Sequence, residues 1–213
     1  MHRYDRERQR LALGLAFMAG QVDAMGFVIA GGYFTSFMSG NTTRLGVDLA
    51  ANLRAAGMPL GLIASFVTGV VGGSLIAGCR PRRRKTLLLS IVALLLSIAS
   101  LTAISGSVVS FLYIAAAAMG VSNNSFSRDG EVTVGVTYMT GALVRFGQAI
   151  ASRISGAPHP AIRSYGLLWA SLALGAVAGG WLFAQFGAKA TVIPVVIAML
   201  LAIYASRIER ATD

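Results

Sequence analysis

Six stretches of this chain, roughly Leu11–Ala30, Met58–Cys79, Thr86–Ile104, Val108–Asn124, Tyr165–Phe186 and Thr191–Ser206, are apolar over most of their length. A helix needs about 20 such residues to cross a hydrocarbon layer of roughly 30 Å. A backbone in lipid must satisfy its own polar groups, which leaves helices as the element for runs of this length. The expected fold is therefore an all-α polytopic membrane protein, a single integral membrane domain over residues 1–213. The opening from His2 to Arg10 is basic and resembles a signal peptide. The apolar run behind it is too long for one and carries Asp23, so a retained first span is expected.

The chain carries a formal charge of +10, but its arginines bracket the apolar stretches instead of lining one polar face. That placement argues for a lipid bilayer as the partner and against nucleic acid. A lone cysteine, Cys79, excludes an internal disulfide and speaks against a thiol metal site. The two histidines, His2 and His159, fall in polar flanks. No enzyme signature, metal site or cofactor motif is expected.

One short phrase occurs twice. Met38-Ser39-Gly40-Asn41-Thr42-Thr43-Arg44-Leu45-Gly46 is echoed by Met139-Thr140-Gly141-Ala142-Leu143-Val144-Arg145-Phe146-Gly147. The segments that hold it, about Tyr33–Ala56 and Val132–Ser155, are less apolar than the six spans. Counting positive charge decides whether they cross. If both turn back, then of 18 Lys and Arg residues only Arg54 and Lys189 lie outside, with Arg44 and Arg145 inside the segments themselves. If the first crossed, the run from Arg80 to Lys85 would face outward, against the positive-inside rule. Two re-entrant segments are therefore expected, with the N- and C-termini cytoplasmic in a bacterial inner membrane. Each half then reads span, re-entrant segment, span, span, over about 10–105 and 107–207. The halves are inverted relative to one another, as in many transporters. Asp23-Ala24 aligns with Asn124-Ser125, and Gly72-Gly73 with Gly179-Gly180.

The phrase also suggests chemistry. Tyr33 to Phe37 and Val132 to Tyr138 favour extended backbone, and each is followed by Ser-Gly or Thr-Gly, with serine and threonine as candidate N-caps. Extended chain entering the membrane and a helix starting near its midplane would leave unpaired N–H groups and about half a positive charge at each start. Two such starts facing each other make an anion-sized pocket. Ser39, Gly40, Asn41, Thr42, Thr140 and Gly141 are the candidate substrate-binding residues. Arg44 and Arg145 either add field to that pocket or pin the short helices outward, the second being favoured because buried cations seek partners. Asp48 is a natural partner for Arg44, while Ala149 holds the matching place in the second copy. Asp23 has three candidate roles: proton coupling, pairing with Arg44, or hydrogen bonding to unwound backbone. An amide at the aligned position, Asn124, favours the last. Gly69, Gly72, Gly73, Gly175, Gly179 and Gly180 read as smooth helix-packing faces, with a homodimer left open, and Met18, Met25 and Met119 as core.

Asp23-Ala24, Gly26-Phe27, Phe37 to Thr42 and Arg44 to Gly46 closely resemble the YoaK-type family of bacterial integral membrane proteins. Met119-Gly120, Asn123-Asn124-Ser125, Tyr138 to Gly141 and Arg145 are similar to that family's second signature. Ala142-Leu143 departs from it where a threonine often follows the second glycine. The resemblance implies a small multi-pass membrane protein and assigns no activity. Organisation alone is also similar to sulfate-permease-like and nucleobase-permease transporters. The leading expectation is a secondary transporter for a small anionic or polar solute. The alternatives are a channel, or a non-transporting scaffold or partner subunit.

Overall fold

A computed structural model describes residues 6–79, 83–128, 131–132, 139–156 and 162–211. The expected extended stretch at 133–138, the histidines at 2 and 159, and the arginines at 80 and 82 lie outside the described residues. The described residues form eight α-helices: α1 (Arg6–Ala30), α2 (Met38–Ala51), α3 (Gly57–Cys79), α4 (Arg84–Ile104), α5 (Val108–Asn123), α6 (Met139–Ile154), α7 (Ile162–Phe186) and α8 (Val192–Arg210). Ser127–Arg128 and Glu131–Val132 pair as a minimal antiparallel ladder after α5.

Among the described residues, five helical stretches are long and apolar enough to cross a membrane. The last, Arg163–Arg210, has 48 residues, about 72 Å at the helical rise and more than twice the hydrocarbon thickness. It breaks at a 3-10 turn, Gly187–Thr191, where Gly187 takes a positive φ of 55°, and so divides into α7 and α8. In contrast, α2 has 14 residues and α6 has 16, about 21 and 24 Å, each short of a crossing.

Contacts fix the helix directions. Ser171 of α7 donates to the Leu13 carbonyl of α1 at 2.9 Å. Further along both helices, Gly175 and Gly179 of α7 meet Phe17 and Gln21 of α1, so α1 and α7 run parallel. Likewise Gly61 of α3 lies by Tyr113 of α5, Gly69 by Ala117 and Gly73 by Val121, so α3 and α5 run parallel too. Glu209 near the end of α8 accepts from the backbone N–H of Lys85 (2.8 Å) and Thr86 (3.2 Å), capping α4 from another element. At the opposite end Ser100 of α4 bonds Thr191 at 2.7 Å, so α4 and α8 run antiparallel. A tight turn at Gly106, φ 85°, returns α4 into α5. Consequently α1, α4 and α7 begin at the end where α3, α5 and α8 finish. Arg6, Arg8, Arg10, Arg83, Arg84, Lys85, Arg163, Arg207 and Arg210 gather there, and Arg54 and Lys189 at the other end.

The core sits on α1, α4, α5 and α8, with Leu11, Leu15, Met18, Met25, Leu88, Leu112 and Met119 fully buried. The apolar window of α5 is 67% buried and that of α3 only 22%, so α3 turns Leu60, Val67, Val71 and Leu75 outward, toward lipid. Lipid offers apolar side chains the same contacts as a neighbouring helix, so close backbone approach must supply the attraction. Two glycine interlocks provide it. A Cβ at Gly20 of α1 would strike the Leu172 carbonyl and Ala176 amide of α7, and one at Gly175 the Phe17 carbonyl. A Cβ at Gly120 of α5 would strike the Phe66 carbonyl and Val70 amide of α3, and one at Gly69 the Ala117 carbonyl. Gly179 and Gly73 complete the sets against Gln21 and Val121. The expected register is corrected here: Gly72 and Gly180 meet no other helix, because the face that packs repeats every four residues. In the packing register Asp23 answers Asn123, one place from Asn124.

Candidate functional site

Gly31 and Gly32, with φ of 65° and 115°, end α1 in a conformation open to glycine, and the Gly32 N–H closes onto the Phe27 carbonyl at 2.9 Å. Residues 31–37 are then unwound. Asp23 secures them. Its Oδ1 accepts from the Thr35 N–H (2.8 Å), the Thr35 hydroxyl (2.9 Å) and the Ser36 N–H (2.6 Å), and its Oδ2 from the Ser36 hydroxyl. Thr35 and Ser36 are buried, so the carboxylate replaces water for two backbone donors. Of the three roles open to Asp23, this geometry matches hydrogen bonding to unwound chain. Asn41 clamps the same segment from the other side. Its side chain accepts from the Phe34 N–H at 3.0 Å and donates to the Phe34 carbonyl at 2.7 Å.

Helix α2 starts at Met38, two residues earlier than a Ser39 cap would require. Phe37 holds the N-cap position with no side-chain cap bond. Ser39 therefore lies in the first turn, where N–H groups have no carbonyl one turn before them. The hydroxyls of Thr42 and Thr43 turn back to the Met38 and Ser39 carbonyls at 2.8 and 3.2 Å. Helix α6 begins at Met139, with Thr140 and Gly141 in the equivalent first turn.

The two starts share a cavity of about 250 Å³, lined by Met38 and Ser39 from one copy of the phrase with Ser36 and Phe37 just before it, Met139, Thr140 and Gly141 from the other, and Phe66 of α3. Of the six residues expected to bind substrate, Ser39, Thr140 and Gly141 meet here. Gly40, Asn41 and Thr42 do not line it. A Cβ at Gly40 would press on the rings of Phe37 and Phe34, Asn41 is spent on Phe34, and Thr42 on its own helix. Ser36 and Phe66 line the cavity without having been singled out by the motif, since neither lies inside the repeated phrase.

Both arginines turn away from the cavity. Arg44 lies 4.8 Å from the centroid of the Tyr33 ring, whose hydroxyl donates to Asp48 at 2.8 Å, so the tyrosine joins the arginine to the carboxylate expected to partner it. Arg145 stacks on Tyr165 at 5.6 Å and donates to its hydroxyl at 3.2 Å. That tyrosine is 20 residues away on α7, a distance at which no spacing rule would find it. Asn124 donates to the Val70 carbonyl at 3.0 Å, tying α5 to α3. Among the described residues, no group of three His, Cys, Asp or Glu side chains comes together to hold a metal.

A family model described as a protein of unknown function, DUF1275, matches residues 11–204, which is nearly the whole helical body. The chain belongs to the DUF1275 family. It is also 35% identical over 212 residues to a UPF0700 transmembrane protein of Rhizobium meliloti (strain 1021), covering 96% of this chain and 91% of that relative. No solved structure matches. Membership of this uncharacterised multi-pass family and the apolar helices together make the chain a membrane protein. The DUF1275 match covers both copies of the phrase, both glycine interlocks and the cavity between them.

Proposed function

We propose that this DUF1275 protein is a secondary carrier for a small anionic or polar solute, bound where α2 and α6 begin. The observation that carries this reading is the single cavity lined by both copies of the repeated phrase. Each helix start contributes about half a unit of positive charge, and no cationic side chain among the described residues lines the space. A solute with at most one negative charge suits that field. Phe37, Met38, Phe66 and Met139 favour a ligand with a small apolar body, and the hydroxyls of Ser36, Ser39 and Thr140 favour a polar head.

The architecture proposed with it is two inverted halves. In its support, α1 packs on α7 as α5 packs on α3, with matching glycines, while α1 and α5 run in opposite directions. The segment from α1 to α3 leaves and returns at the charge-poor end, and that from α5 to α7 at the basic end, as re-entrant segments would. The positive-inside rule makes the basic end cytoplasmic, so that α1 begins and α8 finishes on that side of a bacterial inner membrane.

The test is a screen of solutes by thermal stabilisation of the purified protein, since a bound ligand raises apparent stability by about 2.7 kcal/mol at a hundredfold excess over Kd. Gly141→Leu is the site variant of choice. Nothing within 4 Å opposes a Cβ there, whereas Gly40→Leu would strike Phe37 and break the local fold. A solute that stabilises the wild type but not Gly141→Leu supports the site. Equal stabilisation of both removes it. Uptake into proteoliposomes against a gradient then separates a carrier from a channel.

A further inference from the structure

A second concavity lies on the other side of α2. It is an open groove of about 650 Å³ at the charge-poor end, walled by Phe27 and Val28 of α1, the backbone of Gly31 and Gly32, Phe34, and Arg44. Three observations bear on its occupant. First, the Nε of Arg44 is buried without a hydrogen-bond partner, and an orphaned buried donor on a cation calls for an acceptor. The absence of side chains at Gly31 and Gly32 leaves room for one, for a Cβ at Gly32 would come within 3.4 Å of the guanidinium. Among the described residues no acidic side chain lines the groove, and Asp48 takes the Tyr33 hydroxyl.

Second, the remaining wall is apolar and open. Phe27 is 44% and Val28 54% exposed, although both sit on a membrane-crossing helix. Third, the depths agree. From Leu11 to Ala30, α1 spans about 30 Å, the thickness of the hydrocarbon. Gly31, Gly32 and the guanidinium therefore lie at the level of lipid headgroups, and Phe27 and Val28 one turn within the acyl region.

We propose that this groove binds a phospholipid of net negative charge from the leaflet at the charge-poor end, its phosphate on Arg44 and an acyl chain along Phe27, Val28 and Phe34. A free small anion would gain nothing from the apolar wall, and an uncharged amphiphile would bring no anionic acceptor to the Arg44 Nε. The lipid anchors the start of α2 from the membrane side. The proposal does not rest on the carrier reading, because the solute cavity lies against Met38 and Ser39 and the groove against Gly40, Thr43 and Arg44.

Delipidated protein titrated with phosphatidylglycerol, and separately with phosphatidylcholine, followed by native mass spectrometry, tests it. Wild type retains phosphatidylglycerol in preference to phosphatidylcholine. Arg44→Gln and Thr43→Glu each weaken that binding about tenfold or more, the loss of one charge-assisted contact. Arg54→Gln, which removes a cation from the same end outside the groove, leaves it unchanged. Thr43 is exposed, so Thr43→Glu decides the matter should Arg44→Gln not fold. Unaltered lipid binding in Thr43→Glu overturns the proposal. So does displacement of the lipid by millimolar inorganic phosphate, which would mark a plain anion site with no acyl component.

Discussion

Asp23 offers the sharpest contrast between a structural and a functional carboxylate, and Asp23→Asn and Asp23→Ala separate them. Three of its four bonds converge on Oδ1, from the Thr35 N–H, the Thr35 hydroxyl and the Ser36 N–H. An asparagine keeps that oxygen. Its amide nitrogen faces the Ser36 hydroxyl, which rotates to accept instead of donate. What Asp23→Asn loses is charge assistance, worth about 1–3 kcal/mol over the set. Asp23→Ala removes the acceptor of two buried backbone N–H groups, at roughly 1–3 kcal/mol each, and strands two hydroxyls, for a total of about 3–6 kcal/mol. For a chain of this size 1 kcal/mol moves Tm by about 2–4 °C. Thermal unfolding in detergent, read by the fluorescence of Trp169 and Trp181, should place the alanine variant well below the asparagine variant. Solute uptake should survive in Asp23→Asn. Equal melting of the two variants, or an Asp23→Asn protein that melts normally but transports nothing, refutes the structural role.

The glycine interlocks predict a matched set. Gly69→Ala and Gly175→Ala each thrust a methyl into a carbonyl of the neighbouring helix and should cost about 1–3 kcal/mol or more. Gly72→Ala and Gly180→Ala point into open space and should be neutral or stabilising by up to about 1 kcal/mol; melting temperatures of the four variants make the comparison. Cys79, exposed at the finish of α3 and the sole cysteine, lies at the basic end. A membrane-impermeant thiol reagent should label it in inside-out vesicles and not in intact cells; the reverse pattern inverts the proposed orientation.

The amino-acid order alone determined that this is a helical protein with several stretches long and apolar enough to cross a membrane. Hydrocarbon thickness sets a length that only six apolar stretches approach. It also determined that the two copies of Met-Ser/Thr-Gly belong together, since both open short helices. What it left undecided were partners across space. Arginines 44 and 145 each find a tyrosine, Asn41 folds onto Phe34 instead of facing a solute, and Glu209 caps a helix more than a hundred residues earlier. Of the six glycines read as packing faces, Gly69, Gly73, Gly175 and Gly179 meet a neighbouring helix while Gly72 and Gly180 do not, because helical packing uses every fourth residue. Tertiary structure alone paired α1 with α7 and α5 with α3. In lipid no hydrophobic gradient sorts one apolar helix face from another, so the choice falls to backbone shape, and that becomes visible only when two helices lie side by side.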